Sequence, residues 1–320
     1  MRIKKFDKYS VFLTSTGRTG TQFMARMMSK MIDDFSSFHE PGTLWFTRPH
    51  EWLEQINRYG LYHMTIGQAR PTHSMFKLST DRYTKKISDE KAKEYIYNMR
   101  KPLIDDVNRK IYMESSGHIY ALVDLIAEVF PNSKFIFIIR DPRTWVRSAL
   151  NTIEYIIYKP LDIDFLNISI KAKDMNDDPY NELWSEMSIF EKYCWYYDKV
   201  NSFIMNKFNK LDNVMFVRFE DLFNKKTKNE TFKKLLSFSS HFRDGFESKY
   251  EFKADLLNRK VHSNANKKKF PKWQDWDNEM ALTLKEHCGK WMKKYNYGNE
   301  PLWQKKIANN KIEFIEKPTG

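Results

Sequence analysis

Only two cysteines, Cys194 and Cys288, occur in the 320 residues. They leave no disulfide framework and no CxxC spacing for a metal knuckle, and they suit a reducing compartment. The eight histidines fall into no HExxH or other ligand spacing. No apolar stretch reaches the roughly 18 residues that a membrane span requires, so no span is expected. At the start, the charged residues Met1 to Lys8 run straight into the apolar Tyr9 to Thr14, a run too short for a signal-peptide core and cleavage site. A cytoplasmic location is therefore expected. Internal repeats and low-complexity linkers are missing too, as are RNP, zinc-finger and helix-turn-helix signatures.

What is present is positive charge and apolar mass. Lysine and arginine number 54 against 41 acidic residues, a net charge of +13, which favours an anionic ligand. The lysines lie in short, scattered blocks at 225–226, 233–234, 267–269 and 293–294, as on solvated faces, and no nucleic-acid partner is expected. With 41% hydrophobic residues, the chain can bury a full core, and its length suits a single domain over 1–320.

Tyr9 to Thr14 reads as a buried strand, and Gly17 and Gly20 break it before a helix marked by Phe23, Met24, Met27, Met28, Met31 and Ile32 at helical spacing. Lys110 to Glu114 reads as a strand, Ile119 to Phe130 as a helix, and Phe135 to Ile139 as a strand apolar on both faces. Leu183 to Phe208 reads as one long helix and Val214 to Val217 as a short strand. Two further helices are expected at about 231–239 and 278–294. Strands alternating with helices predict an α/β fold with a parallel sheet covered by helices. The polar and aromatic segments 41–71 and 158–180 fit least well and are expected to be inserted loops that carry acceptor specificity.

Two junctions carry the chemistry. Ser15-Thr16-Gly17-Arg18-Thr19-Gly20-Thr21-Gln22 lies between a strand and a helix, where glycines let backbone N–H groups and a helix N-terminus point at an anion. It is no Walker A motif, because Thr21 stands where the lysine would be. The second junction is Arg140-Asp141-Pro142-Arg143-Thr144-Trp145-Val146-Arg147-Ser148. Here an arginine at a strand end offers a planar fork to phosphate, and Ser148 adds a hydroxyl. Two anion sites on neighbouring strand ends imply a nucleoside with phosphates at both ends.

These residues resemble the superfamily of sulfotransferases that use 3′-phosphoadenosine 5′-phosphosulfate (PAPS), closest to its carbohydrate and bacterial branch. Thr16 to Thr21 is similar to the family's 5′-phosphosulfate loop, and Arg140 with Ser148 to its 3′-phosphate pair. Arg218-Phe219-Glu220-Asp221-Leu222 and the tail from Trp273 to Tyr297 are similar to later segments of the family. The resemblance implies a P-loop NTPase-like, three-layer fold with a central parallel sheet flanked by helices. It also implies that Arg18, Thr19, Gly20, Thr21 and Gln22 hold the 5′-phosphosulfate, with no metal. Phe23 falls where some members stack a ring on adenine, although it also belongs to the helix's core stripe. Lys267 and Lys268 fall in a late loop that closes over the donor in the family, or in a solvated lysine run.

The resemblance further implies transfer of a sulfuryl group from PAPS to a hydroxyl, with adenosine 3′,5′-bisphosphate as product. Glu40, in His39-Glu40-Pro41, matches the carboxylate base of the carbohydrate enzymes, and His118 is its rival by its interval from Arg140. A glycan hydroxyl is the expected acceptor; a small alcohol, a lipid-linked group or a peptide tyrosine stays open. Alternatives to the whole reading are a P-loop nucleotide kinase and a non-catalytic, basic nucleotide-binding protein. Oligomeric state is not legible.

Overall fold

The computed structural model describes residues 4–43, 51–151, 169–258 and 270–308. Along them run β1 (Tyr9–Thr14), α1 (Thr21–Met31), β2 (Phe35–His39), α2 (Trp52–Tyr59), α3 (Leu61–Met64), α4 (Met75–Tyr83), α5 (Asp89–Asp106) and β3 (Ile111–Ser115). There follow α6 (Val123–Val129), β4 (Ser133–Ile139), α7 (Pro142–Leu150), α8 (Ile189–Phe208), β5 (Val214–Arg218), α9 (Phe219–Phe223), α10 (Lys228–Ser240), α11 (Asn278–Lys294) and α12 (Pro301–Ala308). The strands form one parallel sheet in the order β2-β3-β1-β4-β5. No described helix is long and apolar enough to cross a membrane.

Side chains alternate across a strand, and the two faces of this sheet feed two cores. Val11, Leu13, Met113, Ile136 and Ile138 pack on the methionine stripe of α1 and on Phe232, Leu235 and Leu236 of α10. Phe12, Tyr112, Phe135 and Phe137 point the other way, into the larger cluster built with α5, α6, α7, α8 and α11. Helices on both faces of a parallel sheet make the three-layer α/β fold.

Several boundaries differ from the sequence reading. The helix expected from Leu183 begins at Ile189, because the Ser188 hydroxyl accepts the Glu191 N–H and caps it there; residues 182–185 form a separate 3-10 turn. α6 starts at Val123 rather than Ile119. β2 was not anticipated, because Phe35-Ser36-Ser37-Phe38-His39 is a half-buried edge strand without an apolar run. The segment 41–71 is not the plain loop expected: its described part from Trp52 is mostly helical. The Gln68 side-chain amide pins that part by donating to the carbonyls of Gly42, His63 and His73 at 2.8–3.1 Å. Residues 44–50 and 158–168 of the two expected insertions lie outside the described residues.

A buried ion pair fastens α5 to the end of β3. Arg100 donates through Nε and Nη2 to both Glu114 oxygens at 2.6 and 2.7 Å, and Tyr112 Oη adds a bond at 2.8 Å. Both charged side chains are almost fully buried, at 3% and 0% exposure, so either charge alone would be uncompensated. Arg100→Ala should cost about 3–5 kcal/mol in chemical denaturation, and replacing Arg100 and Glu114 together by methionine and leucine should restore most of it.

Candidate active site

Because all five strands are parallel, their carboxyl ends share one edge, and the strand order reverses on either side of β1. A crevice at such a switch point is where open α/β sheets receive ligands. The singled-out residues follow these strand ends: Ser15 to Gln22 after β1, Glu40 after β2, Ser116 to His118 after β3, Arg140 after β4, and Phe219 to Asp221 after β5. In the register, His39 lies beside Ser115, Ser115 beside Leu13, and Ile139 beside Arg218.

The first loop is held from behind. Ser15 Oγ accepts both the Gly17 N–H at 3.0 Å and the Thr19 hydroxyl at 2.7 Å. The carbonyl oxygens of Gly17 and Arg18 turn toward the second junction, where Trp145 Nε1 and Arg140 Nη1 donate to them at 2.9 and 2.6 Å. Gly17, Arg18 and Gly20 all take positive φ, at 77°, 53° and 76°. Such alternation curls successive N–H groups into a concave, anion-binding nest. Among the described residues, the N–H groups of Thr19, Gly20, Thr21 and Gln22 have no protein acceptor, and they sit at the N-terminus of α1, where the helix dipole also favours an anion.

Arg140, half-buried, is unlike the three arginines that are buried outright. Arg82, Arg100 and Arg143 each meet carboxylates. Arg140 instead donates to Thr144 Oγ1 at 3.0 Å and to the Arg18 carbonyl, and its guanidinium lies 4.3 Å from the Phe219 ring centroid. Burial, together with the nearby Arg18 charge and against the pull of Glu220, lowers its pKa to about 10. It remains a cation at neutral pH, and no carboxylate among the described residues pairs with it. Ser148 lies one helical turn beyond Thr144 on the same face of α7.

Glu40 and His118, rivals in the sequence, are neighbours in the structure: His118 Nε2 lies 3.8 Å from Glu40 Oε1. His39 Nε2 approaches the other oxygen at 3.5 Å, while its Nδ1 faces the Ser115 carbonyl at 2.9 Å. The Glu40 N–H donates to that same carbonyl at 3.2 Å. Glu40 is 9% exposed and has φ of 49°, although residues before proline ordinarily stay extended. The His118 ring stacks on Phe76 with centroids 4.7 Å apart.

Gln22 is exposed at the start of α1. Phe23 is 7% exposed and packs against Phe223 and Phe232, so it belongs to the α1 core stripe. Lys267 and Lys268 lie outside the described residues. Sequence reasoning missed Ser115, whose hydroxyl donates to the Thr21 carbonyl at 2.8 Å, and Gly117, where a Cβ would stand 3.1 Å from Gly17 Cα and N. The run Ser115-Ser116-Gly117, small residues at a strand end, was the available signal.

A backbone nest at a helix N-terminus and, beside it, a half-buried guanidinium that meets no carboxylate among the described residues thus lie together on the switch edge of a parallel sheet. The sequence matches the model of the sulfotransferase family over residues 10–240, and the chain belongs to that family of transferases. Three solved structures are similar. The sulfotransferase domain from the curacin biosynthetic pathway has 14% identity, covers 92% of this chain and 99% of its own, and gives a TM-score of 0.46. For the sulfotransferase domain from the Synechococcus PCC 7002 olefin synthase the values are 12%, 93%, 99% and 0.44, and for sulfotransferase STF9 from Mycobacterium avium 11%, 91%, 77% and 0.48. No curated protein matches the sequence.

Gly17 has little freedom to yield, being tied through its N–H to Ser15 and through its carbonyl to Trp145. Gly117→Ala should therefore push on the first loop and destabilise the protein by about 1–3 kcal/mol. Thermal melting checks this; an unchanged midpoint would mean that the loop yields freely.

Proposed function

We propose that the protein transfers a sulfuryl group from PAPS to an acceptor hydroxyl, and that the acceptor is a carbohydrate. The observation that carries the reading is the pairing of two anion loops through Arg140. One loop turns toward the crevice N–H groups that have no acceptor among the described residues, and the other contributes a half-buried cation that meets no carboxylate among them. A donor with a phosphosulfate at one end of a nucleoside and a phosphate at the other suits both. On this reading Arg18 and the amides of residues 19–22 hold the 5′-phosphosulfate, while Arg140 and Ser148 hold the 3′-phosphate.

The acceptor oxygen attacks sulfur in line, the bond from sulfur to the bridging oxygen breaks, and adenosine 3′,5′-bisphosphate leaves. Charge gathers on the leaving 5′-phosphate oxygen, where Arg18 and the loop amides stabilise it. The hydroxyl proton passes to Glu40, which approaches the edge from β2, and His118 at 3.8 Å orients that carboxylate. His118 as the base itself is the second reading, favoured by the same proximity. A nucleotide kinase is disfavoured by the missing lysine after Gly20. A single domain over 1–320 and a cytoplasmic location belong to the same proposal. The carbohydrate acceptor rests on the likeness of His39-Glu40-Pro41 to the carbohydrate enzymes, and transfer of labelled sulfate from PAPS to a panel of glycans and small alcohols tests it.

Arg140→Ala should cost about 1.5–3 kcal/mol more in binding adenosine 3′,5′-bisphosphate than in binding adenosine 5′-phosphosulfate, which lacks the 3′-phosphate and feels the change only through the lost bond to the Arg18 carbonyl. Equal losses in calorimetry would refute the 3′-phosphate assignment. For the base, Glu40→Gln keeps size and hydrogen bonding but accepts no proton, so turnover should fall about a hundredfold with donor affinity within a few-fold. His118→Asn should do less. An active Glu40→Gln beside a dead His118→Asn, both at saturating donor and acceptor, reverses the assignment.

A further inference from the structure

The peptide unit that joins Arg140 to Asp141 is gripped at both polar ends by residues outside the two anion loops. Its carbonyl accepts the Tyr197 hydroxyl at 2.5 Å, and its N–H donates to Glu220 Oε1 at 3.0 Å. The other Glu220 oxygen accepts the Tyr297 hydroxyl at 2.6 Å. Glu220 opens the first turn of α9 beside Phe219, whose ring lies against the Arg140 guanidinium.

Tyr297 comes from the link between α11 and α12, beyond the residues matched by the family model. That link is tightly specified. The Tyr297 N–H donates to the Met292 carbonyl at 2.8 Å, and its neighbours Asn296 and Gly298 both take positive φ, at 58° and 80°. A Cβ on Gly298 would come within 2.6 Å of Met292 Cε. The Arg218 guanidinium lies 4.7 Å from the Tyr297 ring centroid, and three residues on, Glu300 pairs with Arg143 at 2.8 Å. The carboxyl-terminal segment thus reaches the second loop twice, directly at Arg143 and through Glu220 at Asp141.

Fixing a peptide plane fixes ψ of the residue before it, and with it the direction in which that residue's side chain leaves the backbone. A guanidinium held between the Phe219 ring and the Arg18 carbonyl has little room to correct an error of aim. We propose that Glu220, braced by Tyr297, is a positioning residue that sets the peptide plane after Arg140 and so aims its guanidinium at the donor's 3′-phosphate. The inference rests on the 3′-phosphate reading above. A brace that served stability alone would weaken all nucleotides together, whereas a positioning brace weakens only those that carry the 3′-phosphate.

The test is calorimetric titration of the full chain and its Tyr297→Phe, Glu220→Ala and Arg140→Ala variants with adenosine 3′,5′-bisphosphate and adenosine 5′-phosphosulfate. Arg140→Ala serves as the reference, with a loss for the bisphosphate about tenfold or more beyond any loss for the phosphosulfate. Tyr297→Phe, which keeps the ring and its packing, and Glu220→Ala should each lose about three- to tenfold for the bisphosphate and stay within about twofold for the phosphosulfate. If Arg140→Ala discriminates but the other two lose both nucleotides equally, or lose neither, the positioning role is wrong. If Arg140→Ala itself treats the two nucleotides alike, the 3′-phosphate reading fails and the inference falls with it.

Discussion

The bond from the Arg140 guanidinium to the Arg18 carbonyl, 2.6 Å long, ties the loop after β4 to the loop after β1. It makes one site out of two strand ends. A peptide unit presents its carbonyl and its N–H on opposite sides, so drawing the carbonyls of Gly17 and Arg18 toward α7 turns the amides that follow the other way, toward the crevice. Trp145 repeats the device one residue earlier. The nest at the start of α1 is therefore shaped by side chains of a different βα unit, and the adjacency of β1 and β4 in the sheet is what brings them into reach.

Such a site is costly to build. Arg140 is a half-buried cation whose pKa burial pulls down, and several backbone N–H groups of the first loop have no acceptor among the described residues. Arg18 and Glu40 hold positive φ without being glycine, a departure that typically costs about 1–3 kcal/mol and persists only where its surroundings enforce it. At Arg82, Arg100 and Arg143 the fold meets buried arginines with carboxylates. At Arg140 no carboxylate among the described residues does so, and that contrast within one protein is what supports the proposal that its compensating charge is the donor's phosphate.

Legibility followed burial and locality. β1 was read with its boundaries correct because it is a short apolar run closed by glycine, and α11 likewise because Asp277 caps it at the start. The two anion junctions could be read because their glycines and arginine are local signals. β2 escaped because an edge strand buries only part of itself and keeps serines on it. With β2 unread, the meeting of Glu40 and His118 was also out of reach, since it depends on His39 pairing with Ser115 across 76 residues. Two readings that looked exclusive along the chain became contact partners once that register existed. Ser115 and Gly117 offered only a run of small residues at a strand end, and Trp145 lay unremarked inside the second junction; their value lies in what the sheet sets beside them.

The distribution of charge separates recognition from mere attraction. A net charge of +13 draws anions toward the surface as a whole, but scattered and hydrated lysines are screened over about 8–10 Å at physiological salt. Arg140 is not screened in this way. It is half-buried, backed by the Phe219 ring and set by a peptide plane whose two polar ends are both held. An anion that reaches it exchanges water for a contact already oriented, so little ordering entropy remains to be lost on binding. On the proposed reading, selectivity between anions lies in how the carboxyl edge of the sheet is built, and the lysine-rich surface contributes chiefly to the rate of encounter.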